Sequence, residues 1–387
     1  MQRIATARRN GMAKSGNKQL GSAKAAKNDE FYTQLADIQA EVNAYLDYDP
    51  DVFRGKTVLL PCDDPEWSNF TRFFAQNFER FGLKKLVSTS YAPEAKKAKY
   101  GIDLFDFAAG RKLDPARGRI LVLDRDTNGN GRIDFDDLEW SYLEGDGDFR
   151  SDEVRRLRDE ADVIVTNPPF SLFREFLAWI VEAGKKFLII GNMNAITYKE
   201  VFPLIMENKV WLGESIHSGD REFGVPDEYP LEAASFRIDE QGRHFIRVKG
   251  VRWFTNLDHG RRHQPLKLMT EADNIKFSKH KEIRGTGYRR YDNYDAIEVP
   301  YTDAIPSDFA GMMGVPISFL DKYCPDQFDI LGITDRGNEF GIKTHEYTEE
   351  ETPKANDLNR RGAILLDGVL QSTYARILVR RKKENCK

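Results

Sequence analysis

Short, continuously apolar runs alternate with helix-like segments between residues 29 and 213, and this alternation constrains the fold more than any other feature. The predicted strands, most of them apolar runs, cover 56–61, 84–90, 119–124, 161–166 and 186–190. Apolar residues recur at helical spacing over 30–46, 69–81 and 173–183. Strands that read as unbroken apolar runs are buried on both faces, which is typical of parallel sheets covered by helices. The sequence therefore predicts an α/β fold with a mostly parallel sheet flanked by helices.

Composition narrows the class of protein. The chain has 387 residues, of which 40% are hydrophobic and 31% charged, as in soluble globular proteins with two or three domains. No apolar stretch approaches the ~18 residues that a membrane span needs, so the sequence predicts no membrane association. Cys62, Cys324 and Cys386 suit neither a disulfide framework nor a CxxC metal site, which predicts a cytoplasmic protein.

Charge is strongly segregated along the chain, although the formal net charge is only −4. Residues 1–28 carry seven cations and no acid, which indicates a disordered basic arm or a plain solvated tail. Residues 243–290 carry thirteen Lys and Arg against four acids, with aromatic residues between them. An ordinary exposed face is the alternative, but so local an excess favours a surface for nucleic acid. The candidate contacts are Arg252, Arg261, Arg262, Lys267, Lys279, Lys281, Arg284, Arg289 and Arg290.

The sharpest chemical signal is the tetrapeptide Asn167-Pro168-Pro169-Phe170, which directly follows the apolar run 161–166. Ligands of open α/β sheets bind beyond the carboxyl ends of the strands. Two prolines fix the backbone and remove two donors, so the Asn167 side chain and the Pro168 carbonyl can both accept hydrogen bonds. Such a turn suits an exocyclic amine, and Phe170 could stack on a flipped base. The structural alternative is a turn in which the prolines only end the strand.

A second signal follows the run 56–61. Cys62, Asp63, Asp64 and Pro65, with Ser68 and Asn69 shortly after, place carboxylates and small polar groups at the end of the first strand. No GxGxxG occurs there, which argues against a standard dinucleotide site. A cationic sulfonium cofactor with an amino-acid tail would suit these acids. A helix N-cap after an Asp-Pro turn would explain the same residues without a ligand.

The third signal matches the spacing of a calcium-binding loop. Oxygen ligands fall at template positions 1, 3, 5, 9 and 12, and a glycine falls at position 6. The five candidate ligands are Asp126, Asn128, Asn130, Asp134 and Asp137. The last position has Asp where Glu is usual, and a strand-like segment precedes the loop. Structural Ca²⁺ and a metal-free acidic turn both remain open.

With these residues in place, the chain resembles the EcoRI-type adenine-specific DNA methyltransferases. The similarity runs from about residue 27 to 379, and its stretches include 27–34, 62–65 with 68–70, 83–91, 145–151, 167–175, 196–200, 291–296 and 314–320. The resemblance implies a Rossmann-like methyltransferase core that transfers a methyl group from S-adenosylmethionine to N6 of a flipped-out adenine in a specific duplex DNA sequence.

The resemblance also implies roles for individual residues. The turn Asn167–Phe170 would be catalytic, and Asn167 would also border the cofactor. Tyr32 and Thr33 would lie near the methionine part of the cofactor, and Asp148 and Phe149 near its adenine. The loop of Cys62, Asp63, Asp64 and Pro65, with Ser68 and Asn69, would complete the cofactor site. The second strand ends in Ser88-Thr89-Ser90 where many methyltransferases have an acid for the ribose, so Ser88 is the candidate there.

These inferences predict a domain order and a set of partners. We expect a basic arm over 1–28, a catalytic core over 29–213 with the calcium-like insertion at 124–140, a target-recognition region over 214–299, and a C-terminal segment over 300–387 that packs on the core. Duplex DNA is the expected partner, alongside a cognate restriction endonuclease, and the enzyme is expected to be a monomer.

Two alternatives remain open at the level of sequence. The same catalytic turn could serve an exocyclic-amine methyltransferase that acts on RNA or on a protein glutamine side chain, although the basic segment disfavours glutamine. The chain could also be a DNA-binding relic that has kept the fold without the activity, which the intact Asn167–Phe170 turn disfavours.

Overall fold

A computed structural model describes residues 31–65, 68–92, 114, 116–217, 219–225, 236–336 and 340–382. The predicted arm over 1–28 lies outside these residues. The chain forms two compact units, one from Met1–Leu46, Pro50–Asn192 and Ser218–Trp253, the other from Asp47–Asp49, Met193–His217 and Phe254–Lys387. These limits do not coincide with the predicted boundaries near 213 and 299, and the assignment of target recognition to 214–299 stays a prediction.

The described residues contain helices and strands throughout. The α-helices are α1 (Leu35–Tyr48), α2 (Asn69–Gln76), α3 (Phe78–Phe81), α4 (Asp152–Glu160), α5 (Phe173–Glu182), α6 (Phe202–Met206), α7 (Glu271–Phe277) and α8 (Ala355–Leu358). The strands are β1 (Tyr32–Thr33), β2 (Thr57–Leu60), β3 (Lys85–Ser90), β4 (Arg119–Leu123), β5 (Trp140–Tyr142), β6 (Val163–Thr166), β7 (Lys186–Asn192), β8 (Trp211–Leu212), β9 (Asp220–Val225), β10 (Arg237–Ile238), β11 (His244–Lys249), β12 (Val251–Thr255), β13 (Arg289–Arg290), β14 (Ala296–Glu298), β15 (Met312–Pro316), β16 (Phe328–Ile333), β17 (Ala363–Leu366), β18 (Val369–Ser372) and β19 (Arg376–Arg381). Short 3₁₀ helices occupy Phe135–Asp137, Phe170–Leu172, Met193–Thr197, Gly260–His263, Thr302–Ala304 and Ile317–Lys322.

The first unit is built on a sheet with the strand order β5-β4-β3-β2-β6-β7-β12. Its centre is parallel, because β2 pairs in parallel with both β3 and β6, and β6 pairs in parallel with β7. Every residue of β2 and β6 is buried, as their unbroken apolar sequences predicted. The chain leaves β2 toward β3 on one side and later returns to β6 on the other. The carboxyl ends of β2 and β6 therefore flank the crevice where open α/β sheets bind ligands.

The mixed α/β class is confirmed, but the sheet is less parallel than expected at one side. Strand β4 runs antiparallel to β3, and β5 antiparallel to β4. An apolar run shows that a strand is buried and does not encode its direction. The alternation in β4, where Val122 is 41% exposed, fits a strand near the sheet edge with one open face.

A smaller antiparallel sheet in the first unit has the order β1-β9-β11-β10. Residues Tyr32 and Thr33 pair with Gly224 and Phe223, so the first described residues are held by a strand almost 200 residues later. Strand β12 then continues the central sheet beside β7. The sequence suggested a separate β-rich or irregular module here, whereas residues 219–225 and 236–253 belong to the same compact unit as the parallel strands.

The second unit contains a sheet with the order β13-β14-β15-β19-β16. Strands β14 and β15 pair in parallel, and the pairs β13–β14, β15–β19 and β16–β19 are antiparallel. Strands β17 and β18 form a separate hairpin. The last two residues of β12 pair with β8. Buried apolar residues of β15 and β19, among them Val315 and Val379, form the interior of this sheet. Among the described residues, no helix is both long and apolar enough to cross a bilayer.

Candidate active site

The turn after β6 has the local structure that its sequence dictates. Strand β6 ends at Thr166, and Pro168 and Pro169 have no N–H with which to extend a ladder. The carbonyl oxygen of Pro169 accepts a hydrogen bond of 2.9 Å from the Leu172 N–H, which begins the 3₁₀ turn Phe170–Leu172. Helix α5 follows at once, and its buried residues at helical spacing anchor the turn to the sheet.

The Asn167 side chain is fixed at one end and open at the other. Its Nδ2 donates a hydrogen bond of 2.6 Å to the main-chain carbonyl oxygen of Phe31. Its Oδ1 is buried and has no hydrogen-bond partner among the described residues. A buried acceptor without a donor costs about 1–3 kcal/mol, so this geometry is maintained at the expense of stability. It offers an oriented acceptor to a ligand that brings its own N–H.

An aromatic cluster stands beside this amide. The ring of Phe170 lies edge-on to the ring of Phe31, with 5.6 Å between centroids, and Phe31 in turn contacts Phe223 of β9 at 5.8 Å. Phe31 and Phe223 are buried, whereas Phe170 is partly exposed. The exposed part of the Phe170 ring is the surface on which a planar base could stack.

Asp63 joins the predicted cofactor loop to the predicted catalytic turn. Its two carboxylate oxygens accept hydrogen bonds from Ser68 Oγ (2.7 Å) and Thr166 Oγ1 (2.6 Å). Its carbonyl oxygen accepts one of 2.6 Å from Ser88 Oγ, and its N–H donates to the Thr89 carbonyl at 3.0 Å. One residue at the end of β2 is thus connected to the ends of β3 and β6 and to the start of α2.

The burial of Asp63 has an electrostatic consequence. Removal from water raises the pKa of its carboxyl group to about 7, against a usual 3.8, although the hydrogen bonds from Thr166 and Ser68 oppose this and the neighbouring Asp64 adds to it. Desolvation wins because the group is shielded on all sides. Asp63 is 6% exposed and satisfied internally, which indicates a structural link rather than a direct cofactor ligand.

Residues on β1 and α2 form the adjoining wall. Asn69 Nδ2 donates a hydrogen bond of 2.8 Å to the Thr33 carbonyl oxygen. The hydroxyl of Thr33 is buried without a hydrogen-bond partner among the described residues, whereas the Tyr32 ring is 40% exposed. Ser68 is also the N-cap of α2, since its Oγ accepts from the Phe70 N–H at 3.0 Å. The capping interpretation of this residue is therefore confirmed, and Ser68 serves Asp63 as well.

The remaining loop residues lie at the ends of β2 and β3. Cys62 and Asp64 are partly exposed, and Pro65 is buried. The carboxylate of Asp64 is 3.9 Å from Arg119 of β4, whose guanidinium lies over the ring of Trp140 at 4.6 Å. Asp64 therefore remains accessible next to a partly neutralising cation.

Asp148 and Phe149 have different surroundings. Asp148 is held by Arg150 through bonds of 2.9 and 2.7 Å, and these bonds keep the pKa of its carboxyl below the usual value. Phe149 is buried against Phe176 and Trp179 of α5, at centroid distances of 5.1 and 5.6 Å. Asp148 retains a partly exposed edge for a ligand, and Phe149 mainly packs α5.

Comparisons with known proteins agree with this geometry. A family model described as "Adenine-specific methyltransferase EcoRI" matches residues 19–382. The chain belongs to this family. It is therefore an adenine-specific DNA methyltransferase, which confirms the resemblance read from the sequence.

Individual relatives extend the match over most of the chain. The Type II methyltransferase M.EcoRI of Escherichia coli is 44% identical over 315 residues, covering 81% of this chain and 89% of its own. M.MpnI of Mycoplasma pneumoniae is 35% identical, covering 80% and 83%, and M.MgeORF184P of Mycoplasma genitalium is 33% identical, covering 80% and 84%. No solved structure matches significantly.

In this EcoRI-family methyltransferase, the candidate ligands of the calcium-like loop accept hydrogen bonds from main-chain N–H groups of the same loop. Asp126 accepts from the N–H groups of Gly129 and Gly131, and the carboxylate of Asp137 accepts from Thr127, Asn128 and Asp134. The side chains of Asn128, Asn130 and Asp134 likewise accept from N–H groups two residues ahead. Within the described ranges no three His, Cys, Asp or Glu side chains are arranged to hold a metal ion. The structure gives the expectation of Ca²⁺ no support.

The structure separates the predicted DNA-contacting cations into two groups. Arg252 and Arg262 are 4% and 6% exposed. The Arg262 guanidinium lies over the Trp211 ring at 3.5 Å and bonds to Asn208 at 2.6 Å, while Arg252 bonds to the Val251 carbonyl. These two arginines are thus buried and bonded within the protein. They offer no exposed charge to a phosphate, contrary to what the sequence suggested.

The other cations of this methyltransferase are accessible. Exposed side chains are Lys267, Lys279, Lys281, Arg284, Arg289 and Arg290, and Arg261 is partly exposed beside His217. Lys279 and Arg290 are paired with Asp303 (2.8 Å) and Asp295 (3.5 Å). Lys267, Lys281 and Arg284 form no ion pair with any described residue.

Two residues that shape the predicted catalytic turn were not among the candidates from the sequence. Phe31 supplies the carbonyl that orients Asn167, and Thr166 ties the turn to Asp63. Phe31 lies in one of the stretches that carry the family resemblance. Its contact with Asn167 uses the main-chain oxygen, which every residue has, so the sequence could not single it out. Thr166, a hydroxyl at the end of an otherwise apolar strand, was the available clue.

Proposed function

We propose that this chain methylates N6 of an adenine flipped out of a specific sequence in duplex DNA, with Asn167 and the Pro168 carbonyl holding the amine. The observation that supports it is the buried, unpartnered Oδ1 of Asn167, whose direction is fixed by the bond from Nδ2 to Phe31. An acceptor held open in this way requires a ligand that donates, and the exocyclic amine of adenine donates two hydrogens.

The chemistry follows from the electronic state of that amine. The N6 lone pair is delocalised into the ring, so N6 is a poor nucleophile until its hydrogens are drawn out of the ring plane. Two acceptors, Asn167 Oδ1 and the Pro168 carbonyl oxygen, favour the pyramidal form, and the partly exposed Phe170 ring stacks on the base. The proton is lost from N6 after the methyl group has arrived, so no strong base has to act first.

S-adenosylmethionine, the methyl donor that family membership implies, supplies an electrophilic methyl group on a sulfonium. The residues present suit it, since the buried Thr33 hydroxyl has no hydrogen-bond partner among the described residues, Asp64 is partly exposed and Tyr32 is 40% exposed. We assign the central sheet to a Rossmann-like methyltransferase core on this basis. Tyr32, Thr33, Cys62, Asp64, Asn69 and Asp148 would contact the cofactor, and Asp63, Ser68, Ser88 and Phe149 would support them.

The proposal extends to partners. The accessible cations of 261–290 would bind the phosphates of duplex DNA. The enzyme would act as a monomer in the cytoplasm, as the modification component beside a restriction endonuclease that cuts the same sequence. Selection of that sequence would reside in 214–299.

Methyl transfer from labelled S-adenosylmethionine to unmethylated duplex DNA, followed by sequencing of the modified base, tests the proposal. We expect N6-methyladenine at one short motif. Asn167→Ala should lower kcat by at least ~100-fold, because one of two preorganised acceptors is lost. Asn77→Ala is the matched control, since Asn77 Nδ2 also donates to a main-chain carbonyl, that of Phe73 at 2.8 Å, at the far end of α2.

Other outcomes would contradict the proposal. Transfer to RNA and not to duplex DNA would show that the proposed substrate is wrong, while the proposed role of the Asn167–Phe170 turn would still hold. Wild-type turnover by Asn167→Ala would remove Asn167 from the reaction. Equal losses in the Asn167 and Asn77 variants would show a general effect on folding instead of a role in catalysis.

A further inference from the structure

The aromatic residues within the basic stretch 243–290, with Tyr291 directly after it, differ sharply in exposure. Phe245, Trp253, Phe254 and Tyr291 are buried, and Tyr288 is partly buried. Phe277 is 61% exposed. A single exposed apolar side chain needs no explanation by itself, so its setting has to carry the argument.

Phe277 lies on a short helix whose ends are held by hydrogen bonds. It is the last residue of α7, a helix that begins at the N-cap Thr270, whose hydroxyl accepts from the Asp273 N–H at 3.1 Å. The following turn folds back onto the helix, since the Gly285 N–H donates to the Ile275 carbonyl at 2.8 Å and Ile283 is 1% exposed. The backbone that carries the exposed ring is therefore held in place.

Cations are concentrated in the sequence around Phe277. The Lys276 ammonium lies 4.9 Å from the Phe277 ring centroid. Residues 276–290 carry six Lys and Arg and one acid, Glu282. Lys281 and Arg284 are exposed and form no ion pair within the described part of the chain, while Lys279 shares Asp303 with His280. So concentrated a positive charge is complementary to a polyanion.

Binding of a phosphate backbone would account for the cations. It would not account for the exposed Phe277 ring, because phosphates gain nothing from contact with an apolar surface. Nucleobases do, since every base has a π-face that stacks on an aromatic side chain. In an undisturbed duplex those faces are covered, whereas extrusion of a base opens the stack, and proteins insert apolar side chains into such steps. The proposed reaction on a flipped adenine supplies an opened step.

We infer that Phe277, with Lys276, Lys281 and Arg284, forms a contact with the duplex DNA substrate in which the ring stacks on a base exposed by opening of the helix. This inference rests on the proposed function. The cations hold the backbone, and the ring stabilises the distorted DNA. The stacking residue adds to the phosphate contacts that the sequence predicted.

Full-length variants separate the two components. Phe277→Ala should weaken binding of a short duplex carrying the methylation site about 5- to 100-fold, with an unchanged salt dependence because no charge is removed. The pair Lys281→Ala and Arg284→Ala should lower the slope of log K against log salt by about 2. Phe277→Trp should restore affinity, and Phe277→Leu should not, if a flat π-face is required.

Tyr374→Ala is the control, since Tyr374 is 84% exposed in the same unit and residues 370–375 carry no Lys or Arg. It should bind DNA as the wild type does. Full affinity in Phe277→Ala, full rescue by Phe277→Leu, or an equal loss in Tyr374→Ala would each overturn the stacking role. Thermal unfolding should show every variant folded.

The same experiment distinguishes failure of the inference from failure of the proposed function. If the wild-type protein transfers no methyl group to duplex DNA, the proposed function fails, and the stacking role falls with it. If the wild type methylates DNA while Phe277→Ala binds and turns over normally, only the stacking role is wrong.

Discussion

Asn167 Nδ2 donates a hydrogen bond of 2.6 Å to the carbonyl oxygen of Phe31, a residue 136 positions earlier in the chain. Because the amide group is planar, holding Nδ2 also sets the direction of Oδ1. The same Phe31 contacts Phe170 through its ring. One residue thus positions both the acceptor and the stacking ring of the proposed catalytic turn.

Removal of the Phe31 ring should therefore impair catalysis more than cofactor binding. In Phe31→Ala the carbonyl remains, but the packing against Phe170 and Phe223 that holds it is lost. We expect kcat to fall about 10- to 100-fold, the range for a displacement of ~1 Å at a reacting group. Steady-state kinetics with S-adenosylmethionine and DNA varied separately will measure it. Leu35→Ala, at a 41% exposed residue nearby, should be neutral, and a loss there of similar size would refute the positioning role.

The loop that carries Asp148 depends on a glycine. Gly147 has a φ of +79°, and a Cβ there would collide with the Ser90 carbonyl oxygen at the end of β3. We expect Gly147→Ala to displace the loop and to raise the KM for S-adenosylmethionine several-fold. The matched control is Gly145→Ala, whose added Cβ would meet only Glu153 Oε2 at an ordinary 3.7 Å. Equal KM values for S-adenosylmethionine in the two variants would show that this loop does not contribute to cofactor binding.

The raised pKa of Asp63 makes stability depend on pH. The protonated carboxyl is favoured in the folded protein, so its contribution is fully present below the unfolded pKa near 3.8 and is lost as pH rises toward about 7. Urea unfolding between these pH values should show a decline in the free energy of unfolding that is smaller in Asp63→Asn. The exposed Asp51→Asn serves for comparison. A slope unaltered by Asp63→Asn would mean that the carboxylate is ionised in the fold at little cost.

Buried and exposed arginines or lysines should respond differently to substitution. Arg262→Ala removes a buried guanidinium that packs on Trp211 and bonds to Asn208, so it should destabilise the protein by about 0.5–3 kcal/mol through lost packing. Lys267→Ala should leave stability unchanged and reduce the salt slope of DNA binding by about 0.9. Unfolding curves and salt titrations of both variants test this. If Arg262→Ala were fully stable and its DNA binding had a reduced salt dependence, Arg262 would be a DNA contact after all.

Much of the central fold could be predicted because its strands are buried on both faces. The apolar runs 56–61 and 161–166 became β2 and β6, and the turn after β6 lies at the expected end of the sheet. Strand direction could not be predicted for β4, since hydrophobicity reports burial and the chain between β3 and β4 carries no directional signal. Membership of 236–253 in the first unit depended on the pairing of β9 with both β1 and β11, a contact between segments distant in sequence.

The candidate site was predictable where a side chain has a distinct chemistry. Asn167 and Asp63 were chosen as polar residues at strand ends, and Thr33 was implied by the family resemblance. In the structure each of them takes part in a hydrogen bond at this end of the sheet. Charge alone was a poorer guide for Arg252 and Arg262, because the guanidinium also packs on aromatic rings and bonds to carbonyls inside a fold. The acidic spacing of 126–137 was equally ambiguous, since carboxylates that bind a cation also accept N–H groups of a tight turn.

Pairing of β1 with β9 also has a consequence during synthesis of the protein. Strand β1 is near the start of the chain, and its partners Phe223 and Gly224 are translated only after more than half of the residues. A nascent chain that already contains the Asn167 turn therefore lacks the strand that secures Phe31. Translation must therefore pass β9 before the contacts that hold Phe31, and through it the Asn167 amide, can form.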